Sequence, residues 1–265
     1  MTAQREEDGS LQESVQAKSS DSKEKWDEVW RRQSGRRSGG ARGLLRKCIG
    51  KFLPNSQAFQ YLLAYWMERE MNLPASSVLE IGGAGHLGLL LLPKVSHYGL
   101  LDYSEEAIER ARRVIGKKAN ISLIHGDMFT FEPETEPDIV LSIGLIEHFF
   151  GAERREVVQA HSRMTSKYVC IGAPADTPQN WWRHFGYEKT KLYPSQRPIC
   201  EEELWDMCVD SGLSPVCMTR LDPSYGTNPG RFRRRFAECK AAWWPSKRSQ
   251  VDVPDGGVIV MLAEK

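Results

Sequence analysis

The sequence lacks the features that mark secreted, metal-binding or membrane-spanning chains. Its six cysteines show neither the paired spacing of metal ligands nor a disulfide framework, which predicts thiols kept in a reducing compartment. No apolar run approaches the length of about 20 residues that crosses a bilayer. The polar start MTAQREED resembles neither a signal peptide nor a transit peptide. These absences predict a cytoplasmic protein without a transmembrane segment.

A large excess of charge of one sign is also missing, because 36 Lys and Arg residues oppose 35 Asp and Glu residues. No overall attraction to nucleic acid or membrane follows from this balance. Two local exceptions are residues 31–51, with eight Arg or Lys and no acid, and the run FRRRF at 232–236. Such runs bind RNA, lipid headgroups or an anionic substrate, or they form solvated faces. The overall charge balance favours solvated faces.

What the sequence does contain begins with the phrase VLEIGGAGHLG, in which a short apolar strand at 78–81 runs into a glycine turn. The glycines are Gly82, Gly83, Gly85 and Gly88. Residues without a Cβ let the backbone turn sharply while it approaches a ligand, although a G-x-G-x-x-G match alone is weak evidence. Glu80, just before the turn, suits the cationic amino end of a ligand better than a pyrophosphate.

Two later phrases place an acid directly after an apolar strand. LLDYS ends its strand in Asp102, about 20 residues beyond the glycines, where a ribose-binding acid is expected. The alternative is that Asp102 only begins the next helix, but Ser104 already supplies a natural N-cap. HGDMF places Asp127 beside Met128 and Phe129, which fits either an adenine site or a simple turn.

These phrases, together with SIGLIEHFF, resemble the successive motifs of class I S-adenosylmethionine-dependent methyltransferases over roughly residues 57–173. The likeness is greatest to the small-molecule group related to quinone-biosynthesis enzymes, the methyltransferase type 11 group. It implies S-adenosylmethionine as cofactor and a set of cofactor-binding residues: Glu80, Gly82, Gly83, Ala84, Gly85, Asp102, Tyr103, Asp127, Met128, Phe129, Ser142 and Gly144. Within that pattern, Ala84 and His86 stand where glycines are usual.

Strand and helix patterns alternate along the chain, which predicts an α/β fold with helices on both faces of a parallel sheet. Strands are expected near residues 78, 97, 121, 138 and 168, with two more at 214–221 and 257–263. The resemblance implies a Rossmann-like, seven-stranded, mostly parallel sheet whose last strand is antiparallel.

The chain is expected to contain a disordered tail at 1–22, a helical extension or lid at 23–72, and a methyltransferase domain at 73–265. In the extension, a helix over Lys23–Arg32 should place Trp26 and Trp30 on one face, and a glycine-rich hinge should follow at 34–43. A second helix is predicted to dock on the core through positions of helical spacing, namely Phe59, Leu62, Leu63 and Trp66.

An insertion at 173–212, after the fifth strand, is longer than a plain crossover requires. It leaves from a carboxyl strand end, where ligands of open parallel sheets bind. We expect Trp181, Trp182 and Tyr187 to bind substrate. The alternative is that the two indoles only anchor the insertion by burying ring area.

Methyl transfer is an in-line displacement, so the protein must position the acceptor and, where needed, remove a proton. His148, with Glu147 beside it, is the first candidate base, because imidazole titrates near neutral pH. The pair could instead hold its loop by hydrogen bonds, and His184 is the alternative base. Gly144 stands where some enzymes of the resembled group carry a metal-binding glutamate, so no metal is predicted.

The acceptor is predicted to be a small molecule. SIGLIEHF lacks the Asn or Asp followed by two prolines and an aromatic residue that enzymes acting on nucleic-acid or protein amide nitrogens tend to show. We expect methylation of a hydroxyl, amine or carbon of a small aromatic or anionic metabolite. The alternatives are an RNA-modifying methyltransferase that uses the basic segment 31–51, a non-catalytic sensor or scaffold that binds S-adenosylmethionine, and, less favoured, a Rossmann oxidoreductase.

Overall fold

A computed structural model describes residues 25–31, 56–71, 73–83, 85–116, 120–178, 180–181, 184–185, 194–221 and 257–265. The helices are α1 (25–31), α2 (Ser56–Glu70), α3 (His86–Leu91), α4 (Glu105–Ile115), α5 (Ala152–Met164) and α6 (Glu201–Asp210). The strands are β1 (Ser77–Ile81), β2 (His97–Asp102), β3 (Ile121–His125), β4 (Ile139–Ile143), β5 (Tyr168–Pro174), β6 (Ser214–Leu221) and β7 (Val258–Glu264). Short 3-10 helices occupy Leu73–Ala75 and Ile146–His148.

The strands form one seven-stranded sheet in the order β3-β2-β1-β4-β5-β7-β6. Neighbours are parallel except β7, which is antiparallel to both β5 and β6. The Rossmann-like, mostly parallel sheet with an antiparallel last strand is therefore confirmed. The strand order reverses between β1 and β4, and ligands of such sheets bind at this switch point, beyond the carboxyl ends of the strands.

Both faces of the sheet are covered, which explains why its central strands are almost wholly buried. On one face, α2, α3 and α4 pack into a single apolar cluster that includes Leu62, Leu63 and Trp66. On the other, α5 and α6 pack through residues such as Val157 and Leu204. The predicted docking of α2 is confirmed for its three described positions, while the side chain of Phe59 lies outside the described part.

The helix predicted over Lys23–Arg32 is present over residues 25–31 as α1, and the insertion at 173–212 contains α6. The tail, the hinge, FRRRF and all of the basic segment except Arg31 lie outside the described residues. The proposed domain boundaries therefore stay predictions. In the part of the chain that is described, no helix has the length and apolarity needed to span a membrane.

Candidate active site

A cavity of about 680 Å³ lies at the carboxyl ends of β1 to β4, a size typical of small-molecule and cofactor sites. We call the side built from these strand ends the strand-end wall: Ile81, Gly82, Leu101, Asp102, Tyr103, His125, Gly126, Asp127, Met128, Phe129, Gly144, Leu145 and Phe149. The remaining side, the α1 wall, consists of Trp26 and Trp30. Most of the predicted cofactor residues thus meet at one cavity, together with residues that the sequence did not identify.

The glycine turn after β1 is shaped by positive backbone angles at Gly82 (φ 73°) and Gly85 (φ 79°), a region that side-chain-bearing residues rarely adopt. A Cβ at Gly82 would lie 2.9 Å from the Leu145 side chain, and one at Gly85 would lie 3.1 Å from the Ala111 Cα. Ala84 lies outside the described residues. His86 begins α3, so the imidazole at a usual glycine position sits at the start of a helix.

Glu80 is buried, and its carboxylate accepts a hydrogen bond from the Tyr98 hydroxyl. The same carboxylate occupies the space that a Cβ at Gly83 would need. Burial raises the pKa of Glu80 to about 7, partly offset by the Tyr98 hydrogen bond. Glu80 and Gly83 are not among the residues lining the cavity, so they shape the turn from outside its surface. Tyr98 is a supporting residue that the sequence did not identify.

Asp102 lines the cavity although only 6% of its surface is exposed. The backbone N–H of Ser104 donates to its carboxylate at 2.8 Å. Burial raises the pKa of Asp102 to about 7; the Ser104 hydrogen bond opposes the shift, and the negative charges of Asp27 and Glu80 add to it. Ser104 also caps α4 by accepting from the Ala107 N–H. The Ser104 side chain therefore caps α4, and the Asp102 carboxylate is not needed for that role.

The segment after β3 brings Asp127, Met128 and Phe129 to the cavity surface. The Asp127 carboxylate accepts from the Phe129 N–H at 3.0 Å, which fixes the turn. Met128 is buried, and the Phe129 ring packs edge-on against Phe149 at 5.7 Å between centroids. The turn role of Asp127 is thus present in the structure, and it leaves an exposed carboxylate beside two apolar side chains.

The α1 wall contacts the rest of the protein through a few side chains. Trp26 and Trp30 stack at 5.9 Å, and Trp26 meets the His148 ring edge-on at 4.9 Å. The Arg110 guanidinium lies 5.3 Å from the Trp30 ring centroid. Asp27 accepts a hydrogen bond from the Ser104 hydroxyl at 2.5 Å. The spacing of the two tryptophans predicted their common face, but nothing in the sequence predicted what that face covers.

The loop after β4 carries the predicted catalytic pair. Glu147 is buried, and its Oε2 has no hydrogen-bond partner among the described residues. Burial raises its pKa to about 8, partly offset by a hydrogen bond from its own backbone N–H and by the charge of Arg154. His148 donates from Nδ1 to the Ser195 carbonyl at 2.9 Å, since a carbonyl oxygen can only accept. Burial lowers the pKa of His148 to about 4 despite that bond. Both side chains are therefore uncharged at neutral pH.

Three further cofactor candidates are Ser142 in β4, Gly144 directly after it, and Tyr103 directly after β2. Gly144 lines the cavity with φ 72°. Ser142 is buried outside the cavity lining, and its hydroxyl has no hydrogen-bond partner in the described part of the chain. Tyr103 lines the cavity, and its carbonyl lies 2.9 Å from the ring nitrogen Nε2 of His125.

In the insertion, Trp181, His184 and Phe185 form a ring cluster with centroid separations of 5.4 to 6.1 Å. None of the three lines the cavity, which agrees with the anchoring alternative for Trp181 and separates His184 from the cavity surface. Trp182 and Tyr187 lie outside the described residues. Asn180, which the sequence did not identify, donates to the carbonyls of Ala175 and Gly257 at 2.8 and 2.7 Å. It fixes the start of the insertion to the residue before β7.

Across the described ranges, no group of three or more His, Cys, Asp or Glu side chains could hold a metal ion. The fold and the cavity define a class of protein: a Rossmann-like protein in which a glycine turn and acidic strand ends meet at one cavity. This arrangement is the one expected for an adenosine-containing cofactor.

Comparison with known proteins defines the family more closely. Residues 78–167 match the family described as "Methyltransferase domain". Nodulation protein S of Rhizobium tropici is 26% identical over 153 residues, which are 56% of this chain and 64% of that protein. The chain thus spans less than two thirds of that relative's length. The matched family agrees with the methyltransferase resemblance that the sequence motifs predicted, over residues 78–167.

Solved structures share the fold at low sequence identity. Magnesium protoporphyrin IX methyltransferase of Synechocystis PCC 6803, with S-adenosylhomocysteine bound, superposes with a TM-score of 0.58 at 14% identity, covering 90% of this chain and 93% of that one. The N-methyltransferase NodS of Bradyrhizobium japonicum, also with S-adenosylhomocysteine, gives 0.53 at 14% identity, with 79% and 86% covered. The predicted cofactor, S-adenosylmethionine, is the methylated form of the molecule in both structures.

Proposed function

We propose that this protein transfers a methyl group from S-adenosylmethionine to a small molecule. The observation that carries the proposal is the single cavity at the carboxyl ends of β1 to β4, where Asp102 and the segment 127–129 face the same space. An acid at one strand end and an apolar pair at the next suit the ribose and the adenine of an adenosine ligand, which supports the proposal.

The residues present fit S-adenosylmethionine. Asp102 would hold the ribose hydroxyls, and Met128 with Phe129 would cover the adenine ring. At Gly82 and Gly144, positive φ angles bring bare backbone to the cavity surface, which permits close approach of a ligand. The described lining contains two carboxylates and no Lys or Arg, a charge pattern suited to a ligand that carries sulfonium and ammonium groups. When bound, S-adenosylmethionine supplies an electrophilic methyl group.

The chain's own contribution is to orient the reactants and exclude water. Trp26 and Trp30 cover the cavity opposite the strand ends. His148 is neutral at pH 7, and its ring contacts Trp26 of the cavity lining, but neither His148 nor Glu147 is itself among the lining residues. With its pKa lowered to about 4 by burial, His148 is a poor proton sink, because general bases work best with a pKa near the operating pH.

This favours an acceptor that needs no prior deprotonation, such as the lone pair of an uncharged amine. The names of two similar proteins support nitrogen as the acceptor atom, since NodS is an N-methyltransferase and the Rhizobium tropici relative is its namesake, nodulation protein S. Aromatic rings without a cation in the described lining favour a neutral or cationic aromatic acceptor over an anionic one.

Two experiments test the proposal. Calorimetry with S-adenosylmethionine and S-adenosylhomocysteine should show saturable binding of both. Absence of binding, or preferential binding of NAD(H), would refute the assignment. A screen with methyl-labelled S-adenosylmethionine against cell metabolites, read by mass spectrometry, should then yield a labelled amine. Tight cofactor binding with no labelled product would favour the non-catalytic sensor. A labelled RNA, bound with an affinity that falls steeply with salt, would favour RNA modification.

A further inference from the structure

Arg154 in α5 has a side chain that is only 7% exposed, yet it makes three hydrogen bonds to acceptors in two separate segments of the chain. Its Nε donates to the Phe149 carbonyl at 2.9 Å, and its Nη2 donates to the Arg197 carbonyl at 2.8 Å. Its Nη1 donates to a Glu203 carboxylate oxygen at 2.6 Å. A planar guanidinium with five fixed donors is suited to joining several acceptors at defined angles.

The segments joined by Arg154 are the cofactor-facing loop (residues 144–150) and the end of the insertion with the start of α6 (residues 195–203). Two further hydrogen bonds connect the same segments. His148 donates from Nδ1 to the Ser195 carbonyl at 2.9 Å, and the Arg197 N–H donates to the Glu147 carbonyl at 2.8 Å. The loop also supplies Leu145 and Phe149 to the strand-end wall of the cavity. The insertion is therefore hydrogen-bonded directly to a loop of that wall.

We propose that Arg154 is a positioning residue: it holds the cofactor-facing loop in register with the insertion, and so fixes both the Phe149 side of the cavity and the orientation of His148. The proposal rests on the proposed function for its meaning in methyl transfer. Stability alone is a weak reason to bury an arginine, since replacing a buried ion pair by apolar residues is often neutral or stabilising. The distribution of its bonds over two segments that are distant in sequence is what a geometric role requires.

Arg154→Lys is the informative variant, because lysine keeps the positive charge but lacks the planar guanidinium that donates to several acceptors at fixed angles. Arg155→Lys is its matched control: the neighbouring side chain is 61% exposed and forms only a longer ion pair, 3.6 Å, with Asp210. Two quantities are measured below the melting temperature of each variant. The first is S-adenosylhomocysteine affinity by calorimetry. The second is the His148 imidazole titration by NMR on histidine-labelled protein, assigned with His148→Gln.

For Arg154→Lys we expect an affinity loss of about tenfold or more, the scale of one lost hydrogen bond to a charged group. The His148 pKa should rise towards its ordinary value, because a loosened loop exposes the imidazole to water and burial is what lowers its pKa. Arg155→Lys should leave both quantities unchanged. If Arg154→Lys keeps wild-type affinity and the wild-type His148 titration while only its melting temperature falls, Arg154 merely stabilises the fold and the inference is wrong.

If Arg154→Lys does not fold, Glu203→Gln takes its place, since it removes one partner's charge and keeps a hydrogen-bond acceptor. In Glu203→Gln, a weaker S-adenosylhomocysteine affinity and a raised His148 pKa, both by less than expected for Arg154→Lys, support the inference. Wild-type values of both overturn it. Failure of the proposed function looks different: wild-type protein would bind no S-adenosylhomocysteine. The His148 titration would still report whether Arg154 orients the loop.

Discussion

The cavity has two walls that are held in place by different kinds of contact. In the strand-end wall, Asp102 and Gly82 belong to or directly follow strands that are hydrogen-bonded into the sheet. In the α1 wall, Trp26 and Trp30 are fixed by ring contacts and by one hydrogen bond from Ser104 to Asp27. The groups that we propose to bind the polar atoms of the ligand thus lie at strands of the hydrogen-bonded sheet, whereas the α1 wall is attached through few side chains.

The largest expected effect comes from the turn that supports the strand-end wall. Gly85→Ala should lower the free energy of unfolding by about 2 to 4 kcal/mol, because φ is 79° and the new Cβ would lie 3.1 Å from the Ala111 Cα. Gly212→Ala, just after α6, is the matched control, with φ 75° but nothing within 4 Å, and should cost only about 1 kcal/mol. Urea unfolding measures both variants, and an equal loss of unfolding free energy in the two would show that packing at Gly85 is unimportant.

Asp102→Ala should weaken S-adenosylmethionine binding by about 1 to 3 kcal/mol, the scale of lost hydrogen bonds to a charged group. Asp102→Asn keeps an acceptor for the Ser104 N–H and should lose less. Calorimetry on both variants measures the difference. Unchanged affinity in Asp102→Ala would remove this residue from the ribose site.

Glu147 makes stability depend on pH. Its pKa is raised by burial to about 8, so the folded protein binds a proton that the unfolded chain has already lost above its ordinary pKa. Stability from this group is therefore lost as pH rises from about 4.5 to 8, and Glu147→Gln should reduce the loss by on the order of 1 to 2 kcal/mol. Urea unfolding at pH 5 and pH 9 checks this, with the exposed Glu156→Gln as control. Parallel pH profiles for wild type and Glu147→Gln would contradict it.

The smallest effect is expected from the α1 wall. Trp26→Ala should weaken S-adenosylhomocysteine binding by about 1 kcal/mol, because one edge-on ring contact and part of the cover are lost. Trp205→Ala, a tryptophan on α6 that is 42% exposed and outside the cavity lining, should have no effect. A loss in Trp26→Ala as large as that in Asp102→Ala would remove the distinction between the two walls.

The sequence predicted the features that depend on neighbours in the chain. Apolar strands that end at or just before Gly82, Asp102 and Asp127 predicted the sheet. They also predicted that the acids lie together, because the carboxyl ends of parallel strands meet at one edge. Capping chemistry correctly assigned Ser104 to α4. The i, i+4 spacing of Trp26 and Trp30 predicted a shared helix face.

Features that depend on distant parts of the chain could not be predicted. The Tyr98 hydroxyl reaches Glu80 because β1 and β2 are adjacent in the sheet, and nothing local specifies that partner. Nothing in the sequence pointed to Arg154, because the Arg197 carbonyl and the Glu203 carboxylate are brought to it only by folding. The lowered pKa of His148 likewise arises from burial, which composition does not reveal.

The position of β7 has a consequence for how the sheet is assembled. This strand lies between β5 and β6 and pairs with both, so within the described sheet β6 is joined to the rest only through β7. The ribosome synthesises β6 before β7, so β6 has no strand partner until residues 258–264 have been added. A chain interrupted before residue 258 would leave one edge of β5 and the whole of β6 without backbone partners, and such edges promote aggregation.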